Sequence, residues 1–208
     1  MKIYISFDAT SLVHIVELSQ VYELYFDQFI IGTLPIYKEG MGILKLLKTE
    51  FPKKLILAKV RVTDYAQEHV HLFSLQGINA ITVLPGISRA MLHAITIAAH
   101  EVGIQVILEI FDTTFMNQSI LEAKQLGIDV ILFHYFQDKN NQQSLSEQWD
   151  FIKDNINLPI LLETSFTKEI IDALPILQPY GIVVNENMLK NKNTIDDLRY
   201  IQQMFNNI

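Results

Sequence analysis

Six ionisable side chains stand at or just past the ends of short apolar runs: Asp8, Lys59, Arg61, Glu109, His134 and Glu163, with Asp64 close behind Arg61. Carboxylates and a histidine can move protons, and cations can stabilise an oxyanion or enolate, so this set carries acid–base and electrostatic chemistry if the fold gathers it. Alternation along an extended strand puts Lys59 and Arg61 on one face and Ala58 and Val60 on the other. The bland alternative is that polarity resumes wherever a strand ends, and that these charges neutralise one another in solvent. Other candidates are weaker. His69 and His71 lie two apart on a helical segment and diverge, which makes a poor pair of metal ligands. His93 and His100, with Arg89 and Glu101 as neighbours, read as a solvated helix face, and Trp149 as core.

The elements that must position these residues alternate regularly. Apolar, β-branched runs occupy Lys2–Phe7, Phe29–Gly32, Lys54–Lys59, Asn79–Leu84, Gln105–Ile110, Asp129–Phe133, Leu158–Glu163 and Gly181–Val184. Continuous apolar stretches such as Leu55-Ile56-Leu57-Ala58 suit strands covered on both faces. Longer segments of helical spacing lie between them, among them Met41–Glu50, Arg89–Val102 and Asn117–Leu126, with Gly77, Gly103 and Gly127 at helix-stop positions. Asp138–Glu147 reads as a loop running into the sixth helix. Eight strand–helix units in one series predict parallel strands closed into a single (β/α)8 TIM barrel domain over residues 1–208, near the lower size limit for that fold. Neither a GxGxxG turn nor a GxxxxGK[ST] loop is present. In a barrel, strand ends converge on one mouth, which gives the charged set its functional meaning.

Composition narrows the classes further. A net charge of −7 with only three arginines argues against a nucleic-acid partner. Zero cysteines remove disulfides and thiolate chemistry. No uninterrupted 18-residue apolar run occurs, and Asp8 and His14 interrupt any secretory leader, so neither membrane nor export is expected and a cytoplasmic location is.

The strand-end residues resemble those of the orotidine 5′-monophosphate decarboxylase suprafamily, in particular its 3-hexulose-6-phosphate synthase and 3-keto-L-gulonate-6-phosphate decarboxylase branch. Ile31-Gly32-Thr33-Leu34-Pro35-Ile36-Tyr37-Lys38-Glu39-Gly40 looks like that branch's EIGTPxIxxEG segment, Asn79–Leu84 like its ADxVTVL strand, and Leu126-Gly127-Ile128-Asp129 matches as well. The resemblance implies aldol or decarboxylation chemistry on a sugar phosphate through an enediolate, a homodimer, and catalytic positions at Asp8, Lys59, Arg61, Asp64, Glu109 and His134. In relatives the last Asp of the DxKxxD signature reaches the neighbouring subunit, which would make Asp64 part of a shared site.

The chain departs from the signature at telling places. DxKxxD reads Lys59-Val60-Arg61-Val62-Thr63-Asp64 here, and the EIGT glutamate is Ile30. Those two changes remove both oxygen ligands of the family's Mg²⁺ and put an ammonium in its place, so no metal cofactor is expected. The glycine-rich phosphate turns after the seventh and eighth strands are replaced by Glu163-Thr164-Ser165-Phe166 and Asn185-Glu186-Asn187-Met188. Glu163, Thr164, Ser165, Asn185 and Asn187 become the candidate substrate contacts, on a surface less suited to a dianion. Lys59 could replace the metal's charge, form a Schiff base, or be fixed in a salt bridge to Asp8 or Glu109. The alternative to an altered lyase is a non-catalytic barrel that binds or regulates.

Overall fold

The computed structural model describes residues 1–111, 118–136, 144–191 and 193–206. Eight strands, β1 (Lys2–Phe7), β2 (Gln28–Gly32), β3 (Leu55–Val62), β4 (Ala80–Val83), β5 (Gln105–Ile110), β6 (Val130–Tyr135), β7 (Ile160–Thr164) and β8 (Gly181–Asn185), close into a barrel in chain order. Every neighbouring pair is parallel, β8 returning to β1. Around it run α1 (Leu12–Tyr22), α2 (Thr33–Glu39), α3 (Gly42–Glu50), α4 (Ala66–Ser74), α5 (Arg89–Glu101), α6 (Gln118–Leu121), α7 (Leu145–Asn155), α8 (Lys168–Leu177), α9 (Glu186–Leu189) and α10 (Thr194–Asn206). The predicted (β/α)8 barrel is what forms. No described helix is long and apolar enough to cross a membrane.

Both faces of the strands are buried, as the continuous apolar runs require. Ile56 and Ala58 point outward into the layer shared with the helices, while Leu57 joins Tyr4, Ile30, Ile107, Leu132 and Leu161 inside the barrel. Each fully buried Leu or Ile contributes about 1.5–3 kcal/mol, so this double layer is the main stabilising term. Gly77 and Gly103 take positive φ just past the ends of α4 and α5, and Gly127 does so at the close of the turns that follow α6. At Gly127 a Cβ would also lie 2.9 Å from Thr96, whose hydroxyl donates to Leu126 O.

Several boundaries differ from the sequence reading. β3 ends at Val62, not Lys59, which brings Arg61 into the strand. α2 was not foreseen between Thr33 and Glu39; Pro35 lies in its first turn, where a missing N–H is tolerated. The stretch read as a loop over Asp138–Glu147 lies outside the described residues up to 143. From Ser144 it is the start of α7, closed by a capping box between Ser144 and Glu147. The first residue of the segment Asn117–Leu126 is also outside the described set; its helical part is α6, followed by turns into Gly127. Trp149 is core, as expected, and its Nε1–H donates to Leu177 O at 2.9 Å. His100, read as solvated, is exposed but faces Asp129, with Nε2 2.9 Å from Oδ2.

Candidate active site

The inner face of each strand turns from apolar to polar toward its carboxyl end. Past Leu57 comes Lys59, past Ile107 comes Glu109, past Leu132 comes His134, and past Leu161 comes Glu163. Period-2 alternation therefore delivers these charged groups into the barrel mouth from four strands. Once there, they pair in series. Arg61 holds Glu109 through its fork, Nε lying 3.2 and 3.3 Å from Oε1 and Oε2, and Nη2 3.2 Å from Oε2. His134 Nε2 lies 3.1 Å from Glu109 Oε2, and Nδ1 3.0 Å from Glu163 Oε2. Lys59 Nζ donates to the same Glu163 oxygen at 3.1 Å and lies 3.4 Å from Asp8 Oδ1. The order is Arg61, Glu109, His134, Glu163, Lys59, Asp8, so the sign of the charge alternates from end to end.

A neutral imidazole carries one N–H, and His134 has a carboxylate at each ring nitrogen. Satisfying both requires the imidazolium. Burial pulls its pKa down, but the bonds to Glu109 and Glu163 outweigh that and raise it. Conversely, burial pushes Glu109 and Glu163 up, and His134, together with Arg61 for one and Lys59 for the other, holds them below the ordinary carboxylate range. Lys59 behaves likewise: desolvation opposes its charge, and Glu163 and Asp8 overcome it and raise its pKa. With His134 charged the chain holds three cations and three carboxylates, which is how so many charges stay buried without an unpaired one.

Local backbone supports this arrangement. Arg61 is non-glycine at φ 52°, the left-handed region, where the cost is about 1–3 kcal/mol. β3 loses regular register with β4 between Ala58 and Val62, and the freed Arg61 N–H donates to Thr82 Oγ1 at 3.0 Å. That bend aims the guanidinium at Glu109 and across Phe111, 5.5 Å from the ring centre. The other partner of Phe111 is the His134 ring, stacked at 4.1 Å and 7°. Asp8 is held by Ser6 Oγ at 2.8 Å, and Gly32 lets β2 approach it, since a Cβ there would lie 2.6 Å from Asp8 Oδ1.

Exposure divides the chain of ions. Arg61 and Asp8, its ends, keep 39% and 41% of their side chains in solvent, whereas the four groups between keep 5% or less.

Not every candidate joins. Asp64 stands outside the series in this single chain: it is exposed, 3.8 Å from His69 Nδ1, in a cleft of about 240 Å³ that Arg61, Thr33 and Tyr37 also line. Glu163, read as a substrate contact, is instead the buried centre between Lys59 and His134. Thr164 is buried at the end of β7, and Ser165 is exposed with its carbonyl accepting from Thr167 N. Asn185 caps α9, its Oδ1 accepting from the amides of Asn187 and Met188 at 3.1 and 3.2 Å. The exposed Asn187 accepts from Lys190. Thr82, Ser6, Gly32 and Phe111 were missed. Thr82 is the polar residue of the described strand β4, and Phe111 follows Glu109 by two positions, so each had an alternation signal.

No protein-family model matches the chain. It is 25% identical over 134 residues to the 3-hexulose-6-phosphate synthase of Bacillus subtilis (strain 168), and equally to that of Staphylococcus aureus (strain USA300). In both cases the match covers 64% of this chain and 64% of the relative, so the chain spans just under two thirds of these curated relatives. Among solved structures, 3-hexulose-6-phosphate synthase from Salmonella typhimurium superposes with a TM-score of 0.83 at 18% identity, over 98% of this chain and 97% of that one. The 3-keto-L-gulonate-6-phosphate decarboxylase of Vibrio cholerae gives 0.82 at 18%, over 98% of each chain. Orotidine 5′-monophosphate decarboxylase from Methanocaldococcus jannaschii gives 0.79 at 17%, over 98% and 97%. The chain is thus similar in sequence to 3-hexulose-6-phosphate synthases over part of its length, and it shares its fold with solved structures of 3-hexulose-6-phosphate synthase, 3-keto-L-gulonate-6-phosphate decarboxylase and orotidine 5′-monophosphate decarboxylase.

Proposed function

We propose that this barrel is a lyase of the hexulose-phosphate synthase type, performing aldol or decarboxylation chemistry on a sugar phosphate or an analogue of one, with fixed cations in place of a metal. The observation that carries this reading is the Lys59 ammonium, buried at the mouth between Asp8 and Glu163. One of its three N–H donors is given to Glu163 and the ammonium is ion-paired with Asp8, which leaves donor capacity for a developing enediolate oxygen. Asp8, the carboxylate that solvent reaches, is placed to take the proton. Arg61 offers Nη1, since Nε and Nη2 are given to Glu109. Glu109, His134 and Glu163 are positioning residues in this scheme, because their mutual bonds hold the two cations that meet substrate. A Lys59 kept protonated is a poor nucleophile, which favours the electrostatic role over a Schiff base.

The donor chemistry does not fit Mg²⁺. The two family ligand positions hold Ile30, buried in the barrel interior, and Lys59, whose charge repels a dication from Asp8 and Glu163. No step here runs through a metal. A homodimer, with Asp64 facing the partner's site, belongs to the same reading.

The deciding experiment is a turnover assay for formaldehyde condensation and for CO₂ release with a panel of keto sugars and their phosphates, with and without Mg²⁺, alongside borohydride trapping. Metal-independent turnover lost in Lys59→Met, with no trapped adduct, is expected. Turnover that requires Mg²⁺ would restore the ordinary synthase mechanism. A second reading, a non-catalytic binding barrel, draws on the full internal pairing of the charges, and the absence of turnover across the panel would select it.

A further inference from the structure

An alternating series of ions leaves its inner members compensated on both sides and its two ends on one side only. Here the ends are a guanidinium and a carboxylate, and they are also the two exposed members. The mouth is therefore polar in direction: its free positive end is on β3, and its free negative end is on β1. Arg61 Nη1 is not engaged by Glu109, and the Phe111 face beneath the guanidinium supplies a flat apolar support for a planar group. Asp64, in the adjoining cleft, is turned to His69.

At the turns after β7 and β8 several backbone donors are already engaged. TIM barrels often seat a phosphate there, on a short extra helix. In this chain the amides of Asn187 and Met188 are taken by Asn185 Oδ1, and the Thr167 amide is taken by Ser165 O. Glu186, buried at the start of α9, accepts from Thr10 N at 3.1 Å, and Glu163 is the last residue but one of β7, so a carboxylate stands at the carboxyl end of each of these two strands. A phosphate dianion placed there would meet like charge and amides that are in part already bonded.

We propose that the ligand of this mouth is an unphosphorylated hydroxy acid of sugar type, its carboxylate held by Arg61 over Phe111 and a hydroxyl donated to Asp8. A planar carboxylate matches the guanidinium edge, and a hydroxyl satisfies Asp8 without carrying charge. This rests on the reading of the mouth as a substrate site and deepens it by naming the substrate class.

The test is calorimetric titration of the intact chain with glycerate and gluconate, with the amides of both, and with ribulose and ribulose 5-phosphate. At least one acid binds saturably, its amide binds at least tenfold more weakly, and phosphorylation of ribulose adds no affinity. Arg61→Gln and Arg61→Lys both lose the acid, the second because the planar fork is gone. The comparison of acid with amide on the unsubstituted chain keeps the test decisive if either variant misfolds. Acids that bind no better than their amides, or not at all, overturn the proposal. So does a tenfold gain for ribulose 5-phosphate that survives Arg61→Gln. Binding of the acid without turnover defeats the lyase reading alone, whereas turnover of a phosphate ester by Arg61→Gln defeats this one alone.

Discussion

Removing Lys59 separates a network held by alternation from a set of independent pairs. The Lys59 to Glu163 contact is 3.1 Å long between two nearly inaccessible groups. At an effective dielectric constant near 20 their attraction is about 5 kcal/mol before desolvation is subtracted. The 3.4 Å contact with Asp8 adds less, because solvent screens a carboxylate that is 41% exposed. Lys59→Met leaves Glu163 shared only with His134 and the buried sum at −1, and breaking a buried pair from one side costs about 3–5 kcal/mol. Glu163→Gln alone strips Lys59 and His134 of their common carboxylate at a similar cost. The double variant removes one charge of each sign and restores neutrality, so its cost falls short of the sum by about 2–3 kcal/mol. Urea unfolding followed by the fluorescence of the single tryptophan, Trp149, which is buried, reads all three. Additivity to within about 0.5 kcal/mol would refute the network.

Three further outcomes follow from the same geometry. The stabilisation from His134 is full below about pH 6.5 and is lost as pH rises through its raised folded value, while that from Glu109 and Glu163 is present above about 4.5 and is lost as pH falls through their lowered ones. Unfolding midpoints across pH should therefore decline on both sides of a plateau, and His134→Gln should remove the neutral-to-alkaline decline that His134 causes. Gly32→Ala places a Cβ 2.6 Å from Asp8 Oδ1, which costs about 1–3 kcal/mol and moves Asp8 off Lys59, read by unfolding and by loss of ligand titration. Phe111→Leu removes a stacked ring from the imidazolium, a cation–π contact worth about 0.5–1 kcal/mol, so the His134 pKa falls in ¹⁵N NMR titration, and an unchanged or raised value would refute the contact's role.

The barrel was legible because its signal is repeated: eight apolar runs with helical spacing between them leave few alternatives, and local errors at Val62 or Thr33 do not change the topology. The charged set was legible for the same reason, since polarity resumes at Lys59, Glu109, His134 and Glu163 on one strand face. Which charge meets which was not. Sequence reading offered Asp8 or Glu109 as the partner of Lys59, and the structure gives Asp8 and Glu163, because the shear of a closed barrel, absent from any local pattern, sets which strand ends share a level. Gly32 was missed for another reason: its role lies in a close approach to Asp8, which residue type alone does not reveal, and for Phe111 alternation pointed to the face but not to the ring stacking.

The even, alternating make-up of the buried ions constrains how this lineage can change. A drift that neutralises one member leaves its neighbours in deficit, whereas a drift that replaces two adjacent members together, such as Lys59 with Glu163 or Arg61 with Glu109, costs less than its two steps taken separately. Aligned relatives should therefore show these positions covarying across strands far apart in the chain, and a designer who wishes to reprogram the pocket should exchange residues two at a time.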